Sequence, residues 1–196
     1  MMTATSSTTD AQQPRVLVLV TNYGVEQDEL VVPVEHLRDR GATVVVAATT
    51  TDPVQTLVGD KDPGRSVQPD TTYGDAGDAF DLLLLPGGTL NADSLRLEPD
   101  AVDLVRACVS SGRPVAAICH GPWALVEAGV VTGRSMTSYP SLATDLRNAG
   151  ASWSDESVVV DEDGPFALVT SRRPDDLPDF LAAVDQVLAA RVDAMR

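Results

Sequence analysis

The chain has 196 residues and a formal charge of −15, from 14 lysines and arginines against 29 aspartates and glutamates. Its length suits one domain with room for a full core. The lack of clustered basic residues argues against a nucleic-acid platform, which must neutralise phosphates. No apolar run nears the roughly 18 residues of a membrane span, and the two cysteines, Cys108 and Cys119, make no disulfide framework. Lys61 is the only lysine beside thirteen arginines. That acidic bias fits a high-salt host or a GC-rich genome equally well, and it bears on solubility rather than on chemistry.

Residues 1–13, rich in Thr, Ser, Gln and Ala, lack the basic start and apolar block of a secretory signal. They read as a flexible tail on a cytoplasmic protein, ahead of a single α/β domain over 14–196. Arg15 to Thr21 is a continuous apolar run of strand length, as in a sheet buried on both faces. The turn Asn22-Tyr23-Gly24 precedes a helix over Glu26 to Arg40, with apolar spacing at Leu30, Val34 and Leu37 and a stop at Gly41. Pro33 cannot donate to the carbonyl of Glu29, which predicts a bend in the first turn. Thr43 to Thr49 is a second buried strand. Between Thr50 and Ala79, short β-like pieces at Gln55–Val58 and Arg65–Val67 predict a small hairpin on the sheet's edge.

Asp81 to Leu85 is a buried strand ending in Pro86-Gly87-Gly88. A short helical turn around Ala92–Arg96 and a longer helix, Pro99 to Ser111, follow. The stretch Pro114 to Ile118 then runs into Cys119-His120-Gly121-Pro122 and a helix to about Ala128. Beyond it, Ser135–Thr137, Ser157–Val160 and Phe166–Thr170 read as strands, Ser141 to Asn148 as a helix, and Asp175 to Met195 as a closing amphipathic helix. This alternation predicts a three-layer, doubly wound α/β sandwich of flavodoxin-like type, whose sites lie beyond the carboxyl ends of the strands.

Cys119 sits where a buried strand turns sharply into a helix, the arrangement of a nucleophile elbow. Helical amides facing the sulfur favour its negative form, so the thiol is expected to ionise easily. With only two histidines in the chain, a Cys–His pair must use His36 or His120, and a zinc site of ordinary composition has too few ligands. Cys108 lies on an apolar helical stripe with Ala101, Leu104 and Val105 and reads as core. His36, among Glu35, Arg38 and Asp39, reads as an ordinary exposed residue. Taken alone, Glu29 is a solvated first-turn acid, Gly87-Gly88 a turn, Asp93 a helix-cap aspartate and Tyr139 a packing residue.

The segments AICHGP, LLPGG and DELVVPVEHL, with the later TSYPS, NAGA, VVVD, LVTSR and DLP in that order, resemble the PfpI family of the class I glutamine amidotransferase-like superfamily. The family was first described as intracellular cysteine proteases, and the resemblance covers about residues 14 to 190. It implies Cys119 as nucleophile, Glu29 as the carboxyl bonded to its sulfur, and the amides of Gly88 and His120 as oxyanion hole. His120 would be oriented by an acid from a neighbouring subunit, matched here by Asp93, with one residue inserted relative to archaeal members. Tyr139 would line the pocket. A homodimer or hexamer is implied. Neither a P-loop nor a dinucleotide glycine fingerprint follows the first strand, so no cofactor is expected, and the scarcity of ligands predicts no metal. True glutaminases pair the elbow cysteine with a later histidine, and none follows His120.

Two classes of function remain open at this point. An enzyme would use the Cys119 thiolate against a small α-oxoaldehyde such as methylglyoxal, or against early glycation adducts, a base then moving a proton on the adjacent carbon. The same groups would suit peptide hydrolysis. A non-catalytic oxidative-stress sensor or holdase would need only an oxidisable cysteine beside a carboxyl. His120 with Asp93 separates the two classes, because proton transfer needs at least one of them and a sensor needs neither.

Overall fold

The computed structural model describes residues 13–194, so the tail expected over 1–13 lies outside the described residues but for Gln13. In chain order the elements are β1 (Arg15–Leu19), β2 (Tyr23–Glu26), α1 (Gln27–Asp39), β3 (Thr43–Ala48), β4 (Val54–Val58), β5 (Asp62–Val67), β6 (Thr71–Thr72) and β7 (Leu82–Leu85). Then come α2 (Thr89–Leu95), α3 (Pro99–Ser110), β8 (Val115–Ile118), α4 (Pro122–Ala128), β9 (Ser135–Met136) and α5 (Ala143–Asn148). The chain closes with β10 (Ser152–Trp153), β11 (Val158–Asp161), β12 (Leu168–Ser171) and α6 (Leu177–Ala194).

Seven strands form the central sheet in the order β11-β12-β8-β7-β1-β3-β6. All neighbours are parallel except β11 and β12, which pair antiparallel. The apolar runs predict burial on both faces, and side-chain alternation distributes them. Val16 and Val18 face α1 and α6, packing with Leu30, Val34, Phe180 and Val184. Leu17 and Leu19 face the opposite layer, with Leu95, Val105, Leu125 and Leu146. Cys108 is fully buried in that second layer, and burial pushes its thiol up to about 12, consistent with a core role. Among the described residues no helix is long and apolar enough to cross a membrane.

Two local expectations are corrected. The β4–β5 hairpin does not extend the main sheet: it pairs with β2 in a separate three-stranded sheet, and β6 takes the edge. Its turn, with Asp60 at φ 57°, reaches back over the carboxyl end of the large sheet. His36 is half-buried rather than freely exposed. Helix α6 packs against α1 and brings Asp185 to 3.0 Å from His36 Nε2 and to 3.1 Å from Arg40 Nε. Pro33 stands inside α1, as its seventh residue.

The chain leaves β1 toward β3 on one side and toward β7, β8 and β12 on the other. The crevice at this reversal lies beyond the strands' carboxyl ends. Into it come the start of α1, the Pro86-Gly87-Gly88 loop after β7, and Cys119 after β8.

Candidate active site

Cys119 adopts φ 61°, a left-handed conformation that side-chain-bearing residues seldom take. Such strain costs about 1–2 kcal/mol and persists only where the surroundings impose it. Here the backbone is held from both sides. The Cys119 N–H donates to the Ser171 carbonyl at 3.0 Å, and its own carbonyl accepts from the Tyr139 N–H at 2.9 Å. The Gly121 N–H closes the turn on the Ile118 carbonyl at 2.9 Å.

The sulfur lies 3.1 Å from His120 Nδ1, and the backbone amides of Gly88 and His120 point at it. Glu29 is 0 % exposed. Its Oε2 accepts from the Gly87 N–H at 2.8 Å, Oε1 is buried with no nitrogen or oxygen partner, and the carboxyl's other hydrogen-bonding neighbour is the Cys119 sulfur. Asn91 braces the glycine loop from α2: its side-chain amide donates to the Gly87 carbonyl at 2.9 Å, and its oxygen accepts from the Thr21 N–H at 2.7 Å.

Burial pushes the Glu29 carboxyl up to about 8, against the opposing Gly87 amide, so Glu29 keeps its proton at neutral pH. Cys119 is only 5 % exposed. Burial first, and then Glu29 whenever it is ionised, raise its pKa, while the amides of Gly88 and His120 work the other way; the protonated Glu29 carries no such charge and can donate to the sulfur. The two backbone amides favour the ionised sulfur that the sequence predicts, and burial opposes them. Burial also lowers the His120 imidazole, partly offset by the Asp60 charge. An imidazole whose Nδ1 lies 3.1 Å from the sulfur is placed to exchange a proton with it.

A cleft of about 650 Å³ opens over the sulfur, lined by Glu26, Asp60, Thr89, Trp123, Tyr139 and Ser141 among others. Tyr139 stacks on His120 at 4.8 Å between ring centroids, and Trp123 tilts against it at 5.3 Å. Tyr139 thus lines the cleft against the His120 ring. Asp93 is exposed on α2 and does not line this cleft within one chain. Sequence reading missed Glu26, Asp60, Thr89 and Ser141. Glu26 left one signal, standing one helical turn before Glu29; Asp60 left only a Gly-Asp turn between two β-like pieces.

Gly87 accounts for the tightness of the site. A Cβ there would stand 2.6 Å from Glu29 Oε2, 2.7 Å from Cys119 Cβ and 2.7 Å from the His120 nitrogen. Gly87→Ala is therefore expected to lower turnover at least ~100-fold and stability by about 1–3 kcal/mol. Steady-state kinetics beside urea unfolding check this, and an alanine variant with wild-type turnover would refute the packing.

The model of the DJ-1/PfpI family matches residues 14–186. Protein/nucleic acid deglycase 2 of Escherichia coli is 40% identical over 177 residues, covering 90% of this chain and 98% of that protein. Deglycase PfpI of Pyrococcus furiosus is 39% identical over 164 residues, 83% of this chain and 92% of the relative. The crystal structure of Drosophila melanogaster DJ-1beta superposes with a TM-score of 0.79 at 32% identity, covering 93% of this chain and 95% of the other. On these matches the chain belongs to the DJ-1/PfpI family.

Proposed function

We propose that the protein is a cofactor-independent, stress-protective enzyme. It uses Cys119 to convert small α-oxoaldehydes such as methylglyoxal, free or as early adducts on amines, into hydroxy acids. The observation that carries this reading is the strained Cys119 elbow, with His120 Nδ1 at 3.1 Å and two backbone amides turned toward the sulfur. The deglycase names of the two relatives support it.

The sulfur adds to the aldehyde carbon while its proton passes to His120 Nδ1. The carbonyl electron pair becomes an alkoxide facing the amides of Gly88 and His120, and protonation gives a hemithioacetal. The hydrogen on that carbon leaves as a proton, forming an enediolate, and a proton returns to the adjacent carbon. The product is a lactoyl thioester on Cys119. Water adds to the thioester, the C–S bond breaks, and lactate leaves as the thiol regains its proton. The sum is methylglyoxal plus water giving lactic acid, with no outside oxidant. His120 and Glu29 are the proton carriers beside the sulfur. Asp93 would join them only across a subunit interface.

The test is to feed methylglyoxal to the full chain, measure lactate, and acid-quench samples for mass spectrometry of the Cys119 peptide. Lactate equal to the methylglyoxal consumed, with a lactoyl adduct on Cys119, is the expected result. Consumption without lactate, or peptide cleavage outpacing it, would overturn the reading.

A further inference from the structure

For His120 to take a proton from the thiol, its Nδ1 must carry a lone pair, so the ring's own proton must sit on Nε2. Nε2 faces two hydroxyls: Ser141 Oγ at 3.3 Å and Thr89 Oγ1 at 3.4 Å. Ser141 can donate or accept. Thr89 is committed: its hydroxyl donates to Asp60 Oδ2 at 2.7 Å, and its amide donates to Asp60 Oδ1 at 2.8 Å. A hydroxyl has one proton. With that proton on Asp60, Thr89 Oγ1 can only accept from Nε2–H.

Asp60 is itself held in place. It occupies the left-handed region at φ 57° in the turn between β4 and β5. Glu26, buried beside Glu29, fixes that turn: its Oε1 accepts from the Gly59 N–H at 3.2 Å and its Oε2 from the Asp60 N–H at 3.1 Å. The chain of contacts thus runs from Glu26 through the turn to Asp60, then Thr89, His120 and the sulfur. Each link is a directed donor and acceptor except the last two, whose direction follows from the first ones.

We propose that Asp60, acting through the Thr89 hydroxyl, is a positioning residue that sets the tautomer of His120 and leaves its Nδ1 lone pair toward Cys119. An acid of the same chain then takes part in orienting the histidine, whether or not Asp93 of a partner also reaches it. The kinetic part of this inference rests on Cys119 being the nucleophile; the tautomer itself does not.

The chain has only two histidines, so long-range proton–nitrogen NMR of the imidazoles shows two ring systems, and His36→Gln assigns them. The wild type is expected to show the Nε2–H form of His120. Asp60→Asn suits the left-handed turn, but its amide can donate back to Thr89, freeing the hydroxyl to turn and donate to Nε2. The ring then moves to the Nδ1–H form, and kcat falls about 10- to 100-fold with KM changed less than about twofold. Thr89→Val gives the same loss without touching the turn, and Thr89→Ser restores both readouts. An unmoved tautomer and kcat in both Asp60→Asn and Thr89→Val would overturn the proposal. So would a tautomer that moves with Asp93→Asn and not with Asp60→Asn. If methylglyoxal is not a substrate at all, the proposed function fails while the NMR still decides this inference.

Discussion

Cys119→Ala is expected to lower kcat/KM for methylglyoxal by at least about 1000-fold, because the carbon–sulfur bond on which the scheme depends cannot form. The loss should come without unfolding, since one sulfur is removed from a position whose backbone is held by Ser171 and Tyr139. The same position gives a second readout. In ordinary elements glycine is the less stable choice, yet at φ 61° it is the residue without strain. Cys119→Gly should therefore be more stable than Cys119→Ala by about 1 kcal/mol, with both inactive. Thermal unfolding of the pair decides this. An alanine variant that keeps making lactate would place the chemistry elsewhere, and a glycine variant melting below it would remove the strain from the account.

Stability should fall as pH rises across the Glu29 window. The carboxyl titrates at about 8 in the folded chain against 4.5 when free. Between those values the folded state keeps a proton that the unfolded state has already released, so raising the pH favours unfolding. This contribution is fully present below the unfolded pKa and is lost as pH climbs through the folded one. From about pH 5 to about pH 8 the expected loss is on the order of 3 kcal/mol. Glu29→Gln removes the titration while keeping an oxygen for the Gly87 amide, and its urea midpoint should vary far less over that range. Measurements below about pH 8.5 keep the Cys119 thiol, raised from an ordinary value of 9.0, out of the comparison. Parallel pH profiles for the two proteins would show that Glu29 is not the group responsible.

Much of this architecture is legible in the sequence. Strands buried on both faces leave continuous apolar runs, so β1, β3, β7 and β8 stand out, and Gly129 marks the end of α4. The elbow was legible because a strand running into Cys-His-Gly-Pro has few other uses. Glu29 needed the family resemblance, since its own segment reads as a solvated helix start. What stayed hidden depends on burial or on distant segments meeting. Asp60, Thr89, His120 and Ser141 come from four separate loops and helix starts, and nothing local in any of them signals the others. The forces on the thiol divide in the same way: helix amides are visible in a sequence, but the depth of Cys119 is not. His36 failed similarly, because Asp185 reaches it from α6, at the far end of the chain.

The contacts that hold the elbow also set when it can exist. Cys119 is pinned by Ser171, in the final strand of the sheet, by Tyr139, and by the loop that ties Gly87 to Glu29. A nascent chain that has emerged only as far as β8 has the cysteine but neither the left-handed turn nor the desolvated pocket. Domains form as units once their distant partners are available. The sulfur therefore stays an ordinary thiol through most of synthesis, and its special chemistry switches on at one late step, when β12 docks beside β8.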